Sequence, residues 1–196
     1  KLLVRRGYDV VVFDNLSGGR REAVLTRHFV HADLLDPAAL ERTFATYPIS
    51  TVMHFAGLVQ VGESLHAPDL YYRNNVVGTA NLLDMMGAHG VQQLIFSSSA
   101  AVYGNPASVP IPEDAAKRPT NVYGRTKWMA EEIMSDYARA YGLRYFALRY
   151  FNAAGCDPEG DLGEYHRPET HLIPLILNVA LQTAPAIQVF GTAYPT

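Results

Sequence analysis

The sequence predicts an α/β fold built on a doubly wound parallel sheet. Two observations lead to it: short apolar runs rich in β-branched or aromatic residues have the character of strands, and segments with helical periodicity separate them. Strands that alternate with helices need right-handed crossovers, which make the sheet mainly parallel. Ligands bind such a sheet in the crevice outside the carboxyl ends of its strands, so we expect the functional residues there.

The strands are expected to be short and buried on both faces, as parallel strands usually are. They cover residues 9–13, 51–55, 93–97 and 144–149, with a further strand-like segment ahead of Asp33. The expected helices cover residues 36–47, 69–88, 121–141 and 172–181. Asp36 as N-cap with Pro37 after it begins the first helix, and Gly142 is the residue type that usually ends a helix such as the third.

Composition narrows the class of protein. The chain has 196 residues, of which 48% are hydrophobic and 18% charged, which suits one globular domain with a real core. A net charge of -3 gives no reason to expect a basic face, so neither nucleic acid nor an acidic membrane surface is an expected partner. The longest apolar runs are far below the roughly 18 to 20 residues that span a bilayer.

Cysteine usage points to a reducing compartment. Cys156 is the single cysteine, so no disulfide can form within the chain, and no Cys/His group has the spacing of a metal site. We therefore expect a cytoplasmic protein without a bound metal.

The composition changes after Asn152, where a loop rich in glycine, proline and acidic residues precedes the apolar segment 172–181. We expect a cofactor-binding domain over residues 1–152 and the beginning of a smaller substrate-binding domain over residues 153–196.

The first predicted strand ends at Asp14, where a carboxylate can hydrogen-bond the ribose hydroxyls of a dinucleotide. A glycine-rich phosphate loop belongs about 20 residues before such an aspartate. Lys1 stands 13 residues before Asp14, so we expect that loop to be missing and residues 1–7 to be the end of a helix capped by Gly7. The alternative for Asp14 is a cap of the turn that follows the strand.

Small residues follow the second strand, in Phe55-Ala56-Gly57, and would let a dinucleotide approach the backbone. Asp33 follows the strand-like segment and could reach the adenine. Taken by themselves, Ala56 and Gly57 are better explained by a tight strand-to-loop turn.

Tyr123 and Lys127 are four residues apart in a strong helical pattern, which puts both side chains on one helix face. A nearby ammonium favours the phenolate of a tyrosine and makes it a usable base near neutral pH. Ser99 ends a run of three serines at the end of a strand, where its hydroxyl can point into the same crevice. A tyrosine and a lysine at this spacing are also common by chance.

Eight strings carry a resemblance to the extended short-chain dehydrogenase/reductase family, and within it to the NAD-dependent nucleotide-sugar epimerases. They are DNLS at 14–17, HFAG at 54–57, VGES at 61–64, YYRNNV at 71–76, FSSSAAVYG at 96–104, YGRTK at 123–127, LRYFN at 148–152, and FG at 190–191 ahead of YPT at 194–196. The resemblance implies a Rossmann-like domain with NAD as the cofactor and a UDP-sugar as the substrate.

The implied reaction interconverts UDP-glucose and UDP-galactose by oxidation at C4 to a 4-keto intermediate, with return of the hydride to the opposite face. Tyr123 would remove the proton of the 4-hydroxyl, Lys127 would hold the nicotinamide ribose and lower the pKa of the tyrosine, and Ser99 would hydrogen-bond the reacting oxygen. The implied NAD contacts are Asp14, Asn15, Asp33, Phe55, Ala56, Gly57, Asn74, Ser99, Tyr123, Lys127 and Phe151.

The implied substrate contacts are Ser99, Tyr123, Asn152 and the backbone near Leu172, Gln188 and Phe190. Two positions depart from some relatives: His171 stands where these have asparagine, and Val59 where they have lysine. The contacts at these two positions therefore do not carry over.

Several other readings remain open. Nucleotide-sugar 4,6-dehydratases of the same family place an aspartate and a glutamate after the strand's hydroxyl residue, but Ala100 and Ala101 occupy that place here and cannot transfer a proton. An epimerase or decarboxylase acting on another nucleotide sugar is one alternative, and a catalytically silent NAD-binding redox sensor is another. Apolar residues in excess of one stripe over 71–88 and 122–141 permit the homodimer that this family uses.

Overall fold

The structure, a computed structural model, describes residues 1–164, 166, 169–189 and 191. It divides the chain into two compact units, Lys1–Asn152 and Ala153–Thr196. The boundary coincides with the change in composition after Asn152. The functions assigned to the two units from the sequence stay predictions.

The strands and most of the helices belong to the first unit. The strands are β1 (Val11–Asp14), β2 (His28–His31), β3 (Val52–His54), β4 (Gln93–Ser99) and β5 (Arg144–Tyr150). The α-helices in the described part of the chain are α1 (Leu2–Arg5), α2 (Pro37–Thr46), α3 (Val61–His66), α4 (Pro68–Tyr71), α5 (Gly78–Ala88), α6 (Val122–Tyr141) and α7 (Leu172–Ala180). None of these helices is both long and apolar enough to cross a bilayer.

All strand pairings are parallel, which confirms the predicted α/β class. β1 pairs with β2, and β4 lies between β3 and β5 in a second ladder. The strands form two hydrogen-bonded sheets instead of the expected single sheet, because β1 and β3 do not pair with each other. The carboxyl end of β4 reaches Ser99, opposite Tyr150 of β5.

In the described part of the chain, β5 is partly buried on one face only, whereas burial on both faces was expected. Phe146 is 72% exposed, and Leu148 and Tyr150 on the same face are exposed as well. Helix α6 packs against β4 and β5 on the opposite face, where Leu94 and Phe96 join the hydrophobic core. Apolar character alone does not tell which face of a strand a helix will cover.

The hydrophobic core lies between α2, α5, α6 and β4 and supports the end of β4. It consists of Leu40, Phe44, Leu82, Leu83, Met86, Val91, Leu94, Phe96, Ala130, Met134 and Leu143. Burial of apolar surface on this scale is the dominant favourable contribution to folding, and here it sets the depth of α6 against the sheet.

The predicted helix 69–88 is present as one helical run with a wide turn in its middle. Between α4 and α5 the backbone forms a π-helical turn, Tyr72–Val77, and its dihedral angles stay helical on both sides. Such turns are rare and recur at functional sites. This one carries Asn74 and Asn75. The sequence analysis also missed α3, whose six residues are too few to show a helical period.

Both predicted caps, Asp36 at the start of α2 and Gly142 at the end of α6, are present in the structure. Asp36 accepts a hydrogen bond from the backbone N–H of Ala39 at 3.0 Å, and α2 begins at Pro37. Asn121 accepts one from the N–H of Gly124 at 2.7 Å. Gly142 ends α6 in the left-handed conformation, with φ of 75°.

Gly142→Ala is expected to lower the free energy of unfolding by about 1 kcal/mol, because a side chain is disfavoured at this φ. An added Cβ would meet only Gln92 Nε2, at 3.6 Å, which is ordinary contact, so the cost is conformational. Urea unfolding of the two proteins measures it. Gly142→Asn, which tolerates the left-handed region better, is the control and should lose less. Equal stability of all three proteins would contradict this reading of the cap.

Candidate active site

The structure brings Ser99, Tyr123 and Lys127 together at the carboxyl end of β4. Ser99 is the last residue of β4, Tyr123 lies in the first turn of α6, and Lys127 follows one turn later. The Lys127 ammonium is 5.9 Å from the centre of the Tyr123 ring, so the two share a helix face as predicted. The catalytic roles of the three residues stay predictions at this point.

Burial governs the ionisation of Tyr123. It raises the pKa of the phenol, and an interaction with the Ser99 side chain acts in the opposite direction with smaller effect. The expected lowering of the pKa of Tyr123 by Lys127 is not among the causes of the shift in this structure. The Lys127 ammonium instead donates to the backbone carbonyl of Ser97 at 2.9 Å and lies 4.9 Å from the Phe96 ring.

Lys127 is almost completely buried, and burial lowers its pKa to about 8. Near neutral pH the side chain therefore still carries its proton for most of the time. A cation held at this depth favours anionic groups around it, and a phenolate one turn away on the same helix is such a group.

Two hydrogen bonds and one close contact hold the first turn of α6. The N–H of Tyr123 donates to the Ser64 hydroxyl at 3.2 Å, and that hydroxyl donates to the Val61 carbonyl at 2.6 Å. A Cβ added to Gly124 would lie 2.6 Å from the carbonyl oxygen of Ala101, so the backbone of α6 touches the turn that follows β4. Tyr123 also sits at the positive end of a 20-residue helix, which favours its anionic form.

Asn75 is a support that the sequence analysis missed, although it stands beside the predicted Asn74. It is buried in the π-helical turn, and its side chain makes four hydrogen bonds. It joins both backbone groups of Leu58 with the hydroxyl of Thr126, at 2.8 to 3.1 Å. Asn75 therefore ties the loop after β3 to helix α6, between Tyr123 and Lys127.

His54 is a second buried polar residue that the sequence analysis did not assign. Its Nε2 lies 2.9 Å from the Thr79 hydroxyl, which itself donates to the Asn75 carbonyl at 2.6 Å. The Thr79 hydroxyl therefore accepts, and Nε2 of His54 carries the proton. Burial, with a smaller contribution from the Lys127 charge, lowers the pKa of His54 to about 3.

The buried, neutral His54 predicts that acid destabilises the protein. The unfolded chain takes up this proton near the ordinary pKa of 6.5, whereas the folded protein does so only at about 3. Between these values the unfolded state binds more protons, so the free energy of unfolding falls by up to about 1.4 kcal/mol for each pH unit lost.

Urea unfolding from about pH 7 to about pH 4.5 tests this dependence. In His54→Gln the amide can still donate to Thr79 but does not titrate, so the variant should lose less stability over the same range. Parallel pH profiles for wild type and variant would contradict the assignment.

The predicted cofactor residues at the ends of β1 and β2 also lie together. The Asn15 amide donates to Asp33 Oδ2 at 2.7 Å, and Asp14 Oδ1 accepts from the N–H of Leu16 at 2.6 Å. The Asp14 carboxylate thus shapes the turn after β1, as the alternative reading expected, while it stays partly exposed. Its predicted contact with a ribose is compatible with this geometry and stays a prediction.

The chain matches the family model described as NAD dependent epimerase/dehydratase family over residues 1–196. The chain belongs to this family. The family that the eight strings predicted is thereby confirmed, together with NAD as the family's cofactor.

Relatives in the NAD dependent epimerase/dehydratase family share this part of the fold. A UDP-glucose 4-epimerase of Halalkalibacterium halodurans is 47% identical over 194 residues, which are 99% of this chain and 58% of the relative. The crystal structure of UDP-glucose 4-epimerase from Brucella ovis in complex with NAD is 51% identical, with a TM-score of 0.96 over 100% of this chain and 60% of that one.

A third relative carries a nucleotide as well as the dinucleotide. The crystal structure of UDP-glucose 4-epimerase from Bifidobacterium longum in complex with NAD+ and UDP is 38% identical, with a TM-score of 0.92 over 100% of this chain and 62% of that one. The chain thus spans 58 to 62% of the length of these relatives.

The residues after β3 that were predicted to contact NAD lie beside buried polar groups of the site, and their role as cofactor contacts stays a prediction. A Cβ on Gly57 would lie 3.3 Å from both Asn75 Oδ1 and Lys127 Nζ, so the lack of a side chain lets the Gly57 backbone approach these two buried polar groups. Phe55 is exposed next to it, as are Ala56 and, after β5, Phe151. Exposed flat and small residues beside buried donors suit a planar ring and its ribose.

The predicted substrate residues are distributed over both units. In the first unit Asn152 is exposed shortly after the end of β5. In the second unit Leu172 is the first residue of α7, and both it and Gln188 are exposed. Phe190 lies outside the described residues. Their roles as substrate contacts stay predictions.

The second unit gathers a group that sequence spacing did not reveal. One possible ligand atom from each of Glu164, His166, Glu169 and His171 lies within 4.8 Å of the others. These side chains already pair as imidazole and carboxylate, with His166 Nδ1 3.3 Å from a Glu164 oxygen and Nδ1 of His171 also against Glu164. The absence of a bound metal, which was expected from the sequence, stays a prediction. His171, which departs from some relatives, thus has a partner in its own loop.

Proposed function

We propose that the full-length protein interconverts UDP-glucose and UDP-galactose by epimerisation at C4. The observation that carries the proposal is the convergence of Ser99, Tyr123 and Lys127 at the end of β4, in a chain that is 51% identical to the UDP-glucose 4-epimerase from Brucella ovis. NAD, when bound, would accept the hydride of C4 and give it back to the other face of the 4-keto sugar. Asp14, Asn15, Asp33, Gly57, Asn74 and Phe151 would hold it.

Tyr123 would take the proton of the 4-hydroxyl and return it after the sugar has turned. Its burial raises the pKa, so the phenol is protonated at rest and needs nearby positive charge to act as a base. The Lys127 ammonium and the start of α6 supply that charge. Ser99, whose side chain interacts with Tyr123, would hydrogen-bond the same sugar oxygen and relay the proton.

Dehydration fits the site less well. Ala100 and Ala101 begin the 3-10 turn Ala100–Tyr103 that follows β4, where a 4,6-dehydratase would need an acid and a base. Neither alanine can exchange a proton. A catalytically silent redox sensor is also disfavoured, because binding NAD to sense redox state does not require a serine, a tyrosine and a lysine side chain close together.

The homodimer and the cytoplasmic location expected from the sequence belong to the same proposal. Three large apolar side chains on the helices predicted to form the dimer remain exposed: Val77 at 48%, Met129 at 37% and Tyr141 at 66%. Light scattering of the full-length protein and of Met129→Lys tests the dimer. A monomeric wild type would contradict it.

The activity is tested by supplying UDP-galactose to the purified full-length protein with no NAD added, and following UDP-glucose. We expect turnover, since the relatives are seen with NAD bound and the cofactor is restored in each cycle. UDP-N-acetylgalactosamine and UDP-glucuronic acid are the comparison substrates. If an NAD-loaded protein converts one of these and leaves UDP-galactose unchanged, the proposed substrate is wrong.

A further inference from the structure

An ion pair between the buried Glu131 and the partly buried Arg149 lies beneath the candidate active site and joins α6 to β5. Glu131 is 4% exposed. Arg149 Nε donates to its two oxygens at 3.0 and 3.2 Å, and Nη2 donates to Oε2 at 2.7 Å. The pair is thus bidentate, an arrangement that constrains orientation as well as distance.

Three further groups complete the network. The Ser98 hydroxyl donates to Glu131 Oε1 at 2.5 Å. Arg149 Nη1 donates to the Tyr103 hydroxyl at 2.7 Å and to the Glu113 carbonyl at 3.0 Å. The guanidinium also lies 5.1 Å from the centre of the Tyr103 ring. A single pair of charges therefore links β4, β5, α6 and the turn after β4.

Two members of the network, Ser98 and Glu131, adjoin predicted catalytic residues. Ser98 precedes Ser99 in β4 and is the register partner of Arg149. Glu131 lies one turn beyond Lys127 and two turns beyond Tyr123, on the same face of α6. The network therefore connects the end of β4, which carries the Ser99 hydroxyl, with α6, which carries the Tyr123 hydroxyl.

We propose that Glu131 and Arg149 are positioning residues whose ion pair sets the distance between the Ser99 and Tyr123 hydroxyls. The proposal rests on the proposed function of that site. A carboxylate buried with its charged partner is often no more stabilising than apolar residues of the same volume, so stability alone is a weak reason to bury Glu131. Catalytic groups, in contrast, must be held to within about 0.5 Å, and displacement of about 1 Å can cost about 100-fold in rate.

The test replaces both charges at once in the full-length protein, as Glu131→Met with Arg149→Met. Apolar side chains of similar volume leave no unpaired buried charge, so the double variant is expected to fold. Phe44→Leu, a core substitution in α2, is the control for lost stability alone. Urea unfolding, bound NAD, kcat and KM for UDP-galactose, and the titration of Tyr123 by ¹³C NMR of its ring are measured on each protein.

We expect kcat of the double variant to fall about 30-fold while KM changes by less than about 3-fold and NAD stays bound. The pKa of Tyr123 should rise further, because the Ser99 interaction that lowers it weakens. Phe44→Leu should show neither change. Wild-type kcat together with an unchanged Tyr123 titration in the double variant would overturn the proposal.

Ser98→Ala is the second test variant, to be used if the double variant does not fold. It removes only the hydrogen bond from β4 to Glu131. A smaller fall in kcat and a rise in the Tyr123 pKa are then expected, and wild-type values of both would overturn the proposal. A wild type that leaves UDP-galactose unchanged would contradict the proposed function instead. The Tyr123 titration would still decide the positioning role, because it needs no turnover.

Discussion

Tyr123→Phe is expected to reduce kcat for UDP-galactose by about 1,000-fold, within the range that general acid–base catalysis contributes. The substitution removes only the hydroxyl, which is the group that exchanges a proton with the sugar in the proposed reaction. The ring, which lies within 5.9 Å of the Lys127 ammonium, stays in place. NAD should therefore remain bound and KM should change little.

Tyr137→Phe is the matched control for that experiment. It makes the same chemical change on the same helix, and it removes a hydrogen bond to Asp84 on α5 rather than a group of the site. We expect its kcat to stay within about 2-fold of wild type. Equal losses in the two variants would mean that the helix, and not a proton transfer, had been disturbed.

Gly124→Ala is expected to reduce kcat by about 100-fold, because the new methyl group displaces the first turn of α6. Its Cβ would lie 2.6 Å from the Ala101 carbonyl oxygen, a backbone atom that has little freedom to move. Tyr123 precedes this position, so its hydroxyl would move away from Ser99. The free energy of unfolding should fall by about 1 kcal/mol, since overpacking exceeds the gain in helix propensity.

Gly87→Ala provides the comparison, because it makes the same substitution in α5 with no atom within 4 Å of the new Cβ. Its stability should rise slightly and its activity should stay unchanged. Kinetics and urea unfolding of the two variants separate a local displacement from a general effect of alanine. Full activity of Gly124→Ala would show that the close contact does not set the position of Tyr123.

Local patterns allowed much of the scaffold to be predicted. The predicted caps at Asp36 and Gly142 follow from chemistry within a few residues, and α2 and α6 begin and end within one or two residues of the expected positions. The spacing of Tyr123 and Lys127 put them on one helix face for the same reason. Ser99 could be placed beside them because parallel strands end at a common edge.

The supports of the site could not be predicted in this way. Asn75 bonds to Thr126, which is 51 positions away, and the turn that carries it is a π-helical one within a sequence that has an ordinary helical period. Arg149 and Glu131 are separated by 18 positions, and each alone has the pattern of an exposed charge. No periodicity encodes such pairs, because they depend on which elements pack together.

The sequence by itself determined the α/β class, the family, and the elements that carry Ser99, Tyr123 and Lys127, since these follow from short-range periodicity and from motifs. Only the tertiary structure decided the electrostatics of the site. In the folded chain the Lys127 ammonium donates to the Ser97 carbonyl, and His54 is buried as a neutral hydrogen-bond donor. Burial also raises the pKa of Tyr123. Burial and long-range hydrogen bonds set these properties, and both exist only once the chain has folded.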